Sequence, residues 1–432
     1  MFVIRYGGAR TKREAIRMEL VCIACGKTRR PDGLRAMGCE CGGLLEVRHD
    51  FRRADAEKLK ALFDARLALR TGPYASGVWR YKELIDPELE EAHIVTRGEG
   101  NTGLHDCDPA ARYAGIRQVW LKAQGENPSG SFKDNGMTAA VSRGIAAGCR
   151  AVACASTGNT ASSLAMYAAR AGLRCVVLVP PGGVADGKLA QTIAYGAEVY
   201  GIDGGYDAGV RLLNRHGEAL GLYVCNSVNP YRIEGQKSMI IEAAHQLGWT
   251  LPDWIALPGG ALSNASALGK ALLEMKAIGL IGRVPRIAVV QAEGASPFHR
   301  MIASGSEELV PESAPRTAAS AIRIGNPPSW RKAARVLRET GGVTCAVSDA
   351  EIMDAKRVID RAGIGCEPAA AAGLAGLRKL AAEGAIGRDD TALVVLTGHM
   401  LKDANAMRRS APDPALKPLG PEELVARLSQ AR

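Results

Sequence analysis

Short β-branched runs recur along this chain between longer alanine-rich stretches, and that alternation constrains the fold more than any other feature. "CRAVACAS", "LRCVVLVP", "AEVYGI", "RIAVVQAEG" and "TALVVLT" are each about one strand long and mostly apolar. Strands without a clear polar face are covered on both sides, the habit of parallel sheets flanked by helices. The expected class is therefore α/β, with ligand-binding loops gathered at the carboxyl ends of the strands. At 432 residues and 47% hydrophobic composition, the chain can bury a large core and is expected to form more than one domain. The sequence contains no fixed-period repeat or low-complexity tract.

No apolar run reaches bilayer length, and the opening "MFVIRYGGARTKREAIRMEL" lacks the apolar segment and cleavage site of a secretory leader. A cytoplasmic protein without membrane association is expected. The eleven cysteines are an odd number spread through apolar segments, which fits free buried thiols in a reducing compartment. A net charge of +10 admits a nucleic-acid partner, but the basic residues alternate with acidic ones and form no long run. A mixed solvated surface, with no nucleic acid bound, is the expectation, and small anionic substrates suit the same charge.

Four cysteines cluster in "LVCIACGKTRRPDGLRAMGCECGGLLEV". Cys22 and Cys25 form a C-x-x-C turn, and Cys39 with Cys41 completes a thiolate set for a structural zinc ion on a small ribbon. The second turn, C-x-C, is shorter than the usual metal knuckle, so a ribbon that folds by packing alone competes with the zinc site. Either way the segment is structural, since four thiolates leave no open position for a substrate. The following "FRRADAEKLKALFDARLALR" is expected to be a charged, helix-prone linker.

Three loops after apolar runs carry chemistry. "AVACA" leads into "STGNTASSLAMYAARAG", where Ser156, Thr157, Gly158, Asn159 and Thr160 open a helix. Amides and hydroxyls there hold a carboxylate or another anion, although the same residue types also favour plain N-caps. "WIALP" leads into "GGALSNASALGKALLEM", a glycine turn that lets backbone N–H groups approach a phosphate. Gly259 and Gly260 are adjacent, so this is not G-x-G-x-x-G, and Lys270 stands too far along for a P-loop. A phosphate monoester on a small cofactor fits better than a dinucleotide or a nucleoside triphosphate. The third loop, "VVLTGHMLKD", places Thr397 at the end of the last apolar run.

Lys133 lies among small hydroxyl and glycine residues in "NPSGSFKDNGM". A lone lysine is ordinarily a solvated charge. Together with a phosphate turn, an asparagine and a terminal threonine, it supplies what pyridoxal 5'-phosphate requires: a Schiff-base amine, a phosphate cup, and partners for the ring oxygen and nitrogen. A neutral hydroxyl at the ring nitrogen holds pyridinium charge less well than an aspartate. That favours elimination and replacement at the substrate side chain over transamination.

These motifs resemble the threonine synthases, in the fold-type II (tryptophan synthase β-like) group of pyridoxal phosphate enzymes. The resemblance runs from the cysteine ribbon to "LTGHMLKD" and rests on "GEGNT", "NPSGSFKDNGM", "STGNTASS", "GKLAQTIAYGAEV", "CNSVNPYRIEGQKS", "AIRIGNPPSW" and "GCEPAAAAGLAGL". It implies an N-terminal ribbon over residues 1–50, a large cofactor-binding domain over 51–136 and 223–432, and a smaller α/β domain inserted at 137–222. It further implies that Lys133 holds the cofactor and shuttles protons, that Asn159 faces the ring hydroxyl, and that Thr397 faces the ring nitrogen. Gly260, Ala261, Leu262, Ser263 and Asn264 would cradle the cofactor phosphate. Ser156, Thr157 and Thr160 would hold the substrate carboxylate, and Asn226, Ser227 and Arg232 the substrate's own phosphate, arginine being suited to bidentate contact. The implied reaction converts O-phospho-L-homoserine and water to L-threonine and phosphate, by γ-elimination and then addition of water at the β-carbon, in a homodimer.

The chain departs from the family pattern in three places. Asn135 stands where an arginine is usual after the lysine and aspartate, Gly103 where a proline follows the threonine, and Ala261, Leu262 and Ser263 where the phosphate loop is commonly richer in glycine and asparagine. None removes a group the chemistry needs. They leave open a related synthase acting on O-phosphoserine or another phosphorylated amino acid by β-replacement. Serine/threonine dehydratases differ in carrying a continuous glycine run at the phosphate, and cysteine synthases lack the "NSVNPYRIEGQKS" element. A non-catalytic metal- or nucleic-acid-binding protein built on the ribbon is the reading from another class, against which Lys133, Asn159 and Thr397 stand together.

Overall fold

The computed structural model describes residues 16–30, 38–181, 189–410 and 420–430. Part of the ribbon (31–37) and the Gly187–Lys188 start of "GKLAQTIAYGAEV" lie outside the described residues.

Three sheets organise the chain. The ribbon is antiparallel, with β1 (Met18–Cys22) between β2 (Thr28–Arg29) and β3 (Leu45–His49). The next strands, β4 (Leu104–Asp106) and β5 (Gln118–Ala123), belong to a large sheet that the chain leaves and later re-enters. Between the two visits it forms a separate parallel sheet from β6 (Ala151–Ala155), β7 (Arg174–Val179), β8 (Glu198–Gly201) and β9 (Tyr223–Val224), in the order β8-β7-β6-β9. It then completes the large sheet with β10 (Trp254–Pro258), β11 (Arg286–Ala292), β12 (Val343–Val347) and β13 (Thr391–Leu396). The order there is β12-β11-β10-β13-β5-β4, parallel except for the antiparallel edge strand β4.

Side chains on the central strands alternate between two cores. Ile255 and Leu257 of β10, Ile287 and Val289 of β11, and Leu393 and Val395 of β13 enter one core. Their neighbours Trp254, Ala256, Ala288, Val290, Ala392 and Val394 enter the other. Both faces are apolar because helices cover both, which is why each strand reads as a continuous apolar run. All five runs singled out in the sequence are strands.

Five helices position the site: α1 (Lys133–Ala146), α2 (Asn159–Ala171), α3 (Pro230–Gln246), α4 (Ser263–Ile278) and α5 (Pro368–Ala382). Each of α1, α2, α4 and α5 begins at or within one residue of a motif residue, so the polar ends of these helices converge where the sequence is most distinctive.

One expectation needs correction. The charged segment at 51–70 is helical, as its composition suggests, but it packs into the body and is not a linker. Its helix Ala56–Leu67, capped by Asp55 accepting from Lys58 N at 3.2 Å, buries Leu59 and Phe63 in the main core. Several lysines depart from the usual solvated state. Lys122, Lys237, Lys270, Lys332 and Lys356 are buried, each with an oxygen acceptor or carboxylate.

All eleven cysteines are free thiols, and the seven outside the ribbon are buried. Burial pushes the Cys149 thiol up to about 11 and those of Cys175 and Cys345 up to about 12, so these thiols are chemically quiet. Among the described residues, no helix is long and apolar enough to cross a membrane.

Candidate active site

The turn before α1 is clamped to the end of β13. Phe132 N–H donates to Thr397 O at 3.0 Å, His399 N–H donates to Gly130 O at 2.9 Å, and Ser131 forms an isolated bridge with Gly398. Gly130 has φ +86°, a left-handed backbone that a side chain would disfavour. These contacts bring Lys133 and Thr397 to one place although 264 positions separate them in the chain (397 minus 133).

Asp134 secures the same turn. Its carboxylate accepts from Ser129 N, Ser129 Oγ and Ser163 Oγ, each at 2.6 Å. Burial nevertheless raises it to about 6. Lys133 is half-buried at the start of α1, its Nζ 4.1 Å from the Phe132 ring centroid. Burial, reinforced by the positive charge of Arg232 and only partly opposed by Glu367, lowers the amine to about 7. A neutral amine is the nucleophilic form, so this environment readies Lys133 for attack on a carbonyl near neutral pH.

Asn159 opens α2, and its Nδ2 donates to both carboxylate oxygens of Glu367 at 3.1 Å. Ser156, Thr157 and Thr160 sit half-buried beside it, and Ser156 Oγ accepts from Gly158 N at 3.1 Å. Asn226 bonds the end of β6 in both directions, accepting from Ala155 N at 3.1 Å and donating to Ala155 O at 3.0 Å. That spends its amide oxygen on the backbone and leaves one of its N–H groups for a ligand. Ser227 is adjacent, at 7% exposure. Arg232, in the first turn of α3, donates to Cys225 O at 2.9 Å and has no exposed surface. In this arrangement the guanidinium is closed to solvent.

The turn after β10 forms a cup. Gly259 N–H is taken by Val290 O at 2.7 Å, but among the described residues none accepts from the N–H groups of Gly260, Ala261, Leu262, Ser263 or Asn264. Unclaimed donors at a helix N-terminus after a glycine turn suit a phosphate dianion. The "AIRIGNPPSW" segment backs the cup. A Cβ on Gly260 would lie 3.2 Å from Ala321 O, and Ser329 N–H donates to Ala261 O at 3.3 Å. Leu262 adopts φ 63°, ψ 9° and is fully buried in the main core. Leu262→Gly would relieve about 1–2 kcal/mol of left-handed backbone cost but forfeit about 2–5 kcal/mol of buried side chain. Its expected result is a lower urea midpoint; a stabilised variant would contradict this placement.

The structure also explains one departure. Gly103 N–H donates to Glu126 Oε2, a bond proline lacks, and His105 fills the space where a Cβ would stand. Asn135 is buried and donates to Ser238 Oγ at 2.9 Å, so it faces α3.

Three polar groups escaped sequence reasoning. Glu367 and Lys402 lie inside motifs already noted, "GCEPAAAAGLAGL" and "LTGHMLKD", but nothing local signals their contacts. Lys402 Nζ reaches Ser162 Oγ at 3.3 Å and also donates to Gln191 Oε1, joining the β13 turn to helices beside the smaller sheet. Glu242 of α3 holds the "GEGNT" loop, accepting from Asn101 N at 2.6 Å and Lys122 Nζ at 2.7 Å.

In the ribbon, Cys22 and Cys41 have sulfurs 3.5 Å apart, and Cys25 and Cys39 3.6 Å apart. All four Sγ atoms lie within 4.8 Å of one another. Zinc–sulfur bonds of about 2.3 Å in a tetrahedron place sulfurs about 3.8 Å apart, so the set fits that ion. The ribbon is bolted to the body through Lys332 Nζ to Leu45 O at 2.7 Å and His49 Nε2 to Glu234 Oε2 at 2.7 Å.

The lysine turn is tied to the end of β13, and the row of unclaimed N–H donors follows the neighbouring strand β10. An amine lowered to about 7 and a phosphate cup at the ends of adjacent strands suit a phosphorylated aldehyde, which is the cofactor chemistry of a pyridoxal phosphate enzyme. Residues 95–398 match the family model described as "Pyridoxal-phosphate dependent enzyme". Within that class the chain belongs to the threonine synthase family. It is 41% identical over 395 residues to the threonine synthase of Methanocaldococcus jannaschii, covering 91% of this chain and 95% of that one. With the Methanosarcina acetivorans threonine synthase it shares 43% identity over 387 residues, covering 89% and 92%. The crystal structure of threonine synthase from Escherichia coli is similar in fold, with a TM-score of 0.68 at 19% identity, covering 96% of this chain and all of that one (100%).

Proposed function

We propose that this protein converts O-phospho-L-homoserine and water to L-threonine and phosphate with pyridoxal 5'-phosphate. The observation that carries this is the presence of the Lys133 amine, lowered to about 7, and the unclaimed Gly260–Asn264 donors after neighbouring strands, in a chain 41% identical to a threonine synthase over nearly its whole length. The cofactor, when bound, supplies an electron sink for charge developing at the substrate α- and β-carbons.

The residues divide the remaining tasks. Gly260, Ala261, Leu262, Ser263 and Asn264 offer backbone N–H groups to the cofactor phosphate. Asn159 faces its ring oxygen and Thr397 its ring nitrogen. Ser156, Thr157 and Thr160 bind the substrate carboxylate at the N-terminus of α2. Ser227, Arg232 and the remaining Asn226 N–H bind the substrate's phosphate and steady it as the Cγ–O bond breaks. Lys133 Nζ, available as the neutral amine near pH 7, takes the α-proton, is relieved of it, and then takes a β-proton. These two protons return to Cγ after phosphate leaves and to Cα as the hydroxyl of water adds at Cβ, water's own proton going to the departing phosphate. Closure of the smaller sheet and its helices over Arg232 excludes bulk water while phosphate leaves.

The domain edges that suit this scheme are 1–50, 51–136 with 223–432, and 137–222, the inserted part being the body that moves. A structural zinc ion on Cys22, Cys25, Cys39 and Cys41 completes the ribbon. One zinc per chain by elemental analysis, lost together with thermal stability in Cys22→Ser, is the expected result; a zinc-free protein of unchanged stability would contradict it. The family resemblance supports a homodimer, which sedimentation equilibrium tests, and the free thiols support a reducing, cytoplasmic setting.

The deciding experiment incubates cofactor-loaded protein with O-phospho-L-homoserine and, separately, O-phospho-L-serine, identifying the amino acid formed as phosphate is released. Threonine from the first at far higher kcat/KM is expected. Preference for O-phospho-L-serine would sink the substrate assignment and leave the cofactor in place.

A further inference from the structure

We propose that Glu367 is a positioning residue, whose buried carboxylate turns the Asn159 amide so that an N–H faces the cofactor's ring oxygen. The inference rests on the cofactor assignment above and gives a role to a residue no motif explained. A carboxylate only accepts hydrogen bonds, so the end of Asn159 that lies 3.1 Å from both Glu367 oxygens is its nitrogen. The second N–H of that nitrogen points away from Glu367 and is the one available to a ligand. Without the carboxylate the amide is free to rotate and present its carbonyl, which an oxygen ligand repels.

Several features hold Glu367 in place for this task. It caps α5 immediately before Pro368, where the helix N-terminus favours a negative charge. Its own N–H donates to Gly398 O at 2.9 Å, the residue after Thr397. A Cβ on Gly398 would strike the Glu367 carboxylate, so that glycine makes the room the carboxylate occupies. Glu367 thereby ties Asn159 to the strand end carrying Thr397. The charged groups around it are Lys133 and Lys402, which favour its ionised form, and Asp403, which opposes it; burial raises it overall. Its charge in turn supports protonation of Lys133 against burial and Arg232, while Lys402 also faces Asp134.

The test is a double-mutant cycle read by cofactor dissociation constant, with Asn159→Ala, Glu367→Ala and the pair, and with Glu367→Gln as the near-isosteric variant. Glu367→Ala is expected to weaken cofactor binding about tenfold or more in the parent. In the Asn159→Ala background the same change should add less than about twofold, because the group it positions is gone. Glu367→Gln, which keeps one acceptor but no charge, should bind between the two. Its pH midpoint for cofactor attachment, followed by visible absorbance, should fall below the parent's, because the charge favouring the protonated Lys133 amine has been removed.

Additive losses in the cycle would overturn the inference, as would an unchanged midpoint and affinity in Glu367→Gln. Should Glu367→Ala fail to fold, Glu367→Gln decides alone. A parent protein that takes up no cofactor overturns the cofactor assignment and the inference with it, whereas a parent that binds cofactor with an additive cycle overturns only the inference.

Discussion

Lys133→Ala should lower threonine formation by at least about 10³-fold while leaving the far-UV spectrum and thermal midpoint close to the parent's. Lys133 combines two tasks that no neighbour duplicates, holding the cofactor and moving the α- and β-protons. Removing it also removes a half-buried, poorly solvated amine, so stability does not suffer. Lys133→Arg should fare no better than alanine, because a guanidinium stays protonated and cannot act as a nucleophilic amine. Activity within about tenfold of the parent in either variant would show that the proton-transfer group lies elsewhere.

The largest loss of stability is expected from Glu242→Ala. Its carboxylate is buried, pairs with buried Lys122 at 2.7 Å, and accepts from Asn101 N at 2.6 Å. Truncation strands a lysine charge in the interior and unlatches the "GEGNT" loop, a combination worth about 3–5 kcal/mol. That loop is tied to the lysine turn through Gly100 N–H and Asn127 Oδ1 at 2.9 Å, so cofactor affinity should fall as well. Pairing Glu242→Leu with Lys122→Met should recover most of the stability, because it removes both charges rather than one. A single variant as stable as the parent would show that Lys122 discharges without penalty.

The central strands of the large sheet were legible because they are buried on both faces, so apolar residues such as those of "TALVVLT" run together without alternation. Antiparallel β4 was not legible, being three residues long with half-buried and exposed side chains. The cup after β10, the lysine turn and the α2 N-terminus were legible because each is a local pattern of glycine, hydroxyl and amide groups.

What the sequence hid is interaction at a distance. Glu367 meets Asn159 across 208 positions, Lys332 meets Leu45 across 287, and Lys270 meets Val47 across 223. In sequence, each of these lysines looks like an ordinary surface charge, because only the packed fold supplies the acceptor. The buried state of Arg232 was hidden for the same reason. Its neighbours in "NSVNPYR" suggest an open anion site, whereas tertiary packing closes over it.

Lys133 is not the only amine near Glu367. The Lys402 amine also lies close to that carboxylate, and burial lowers its pKa as well. The most direct test is therefore to load the protein with pyridoxal 5'-phosphate, reduce it with borohydride, and locate the cofactor by peptide mass mapping. A single reduced cofactor on the peptide carrying Lys133 is the expected result. Label on Lys402, or none on any lysine after saturation, would contradict a site built around Lys133.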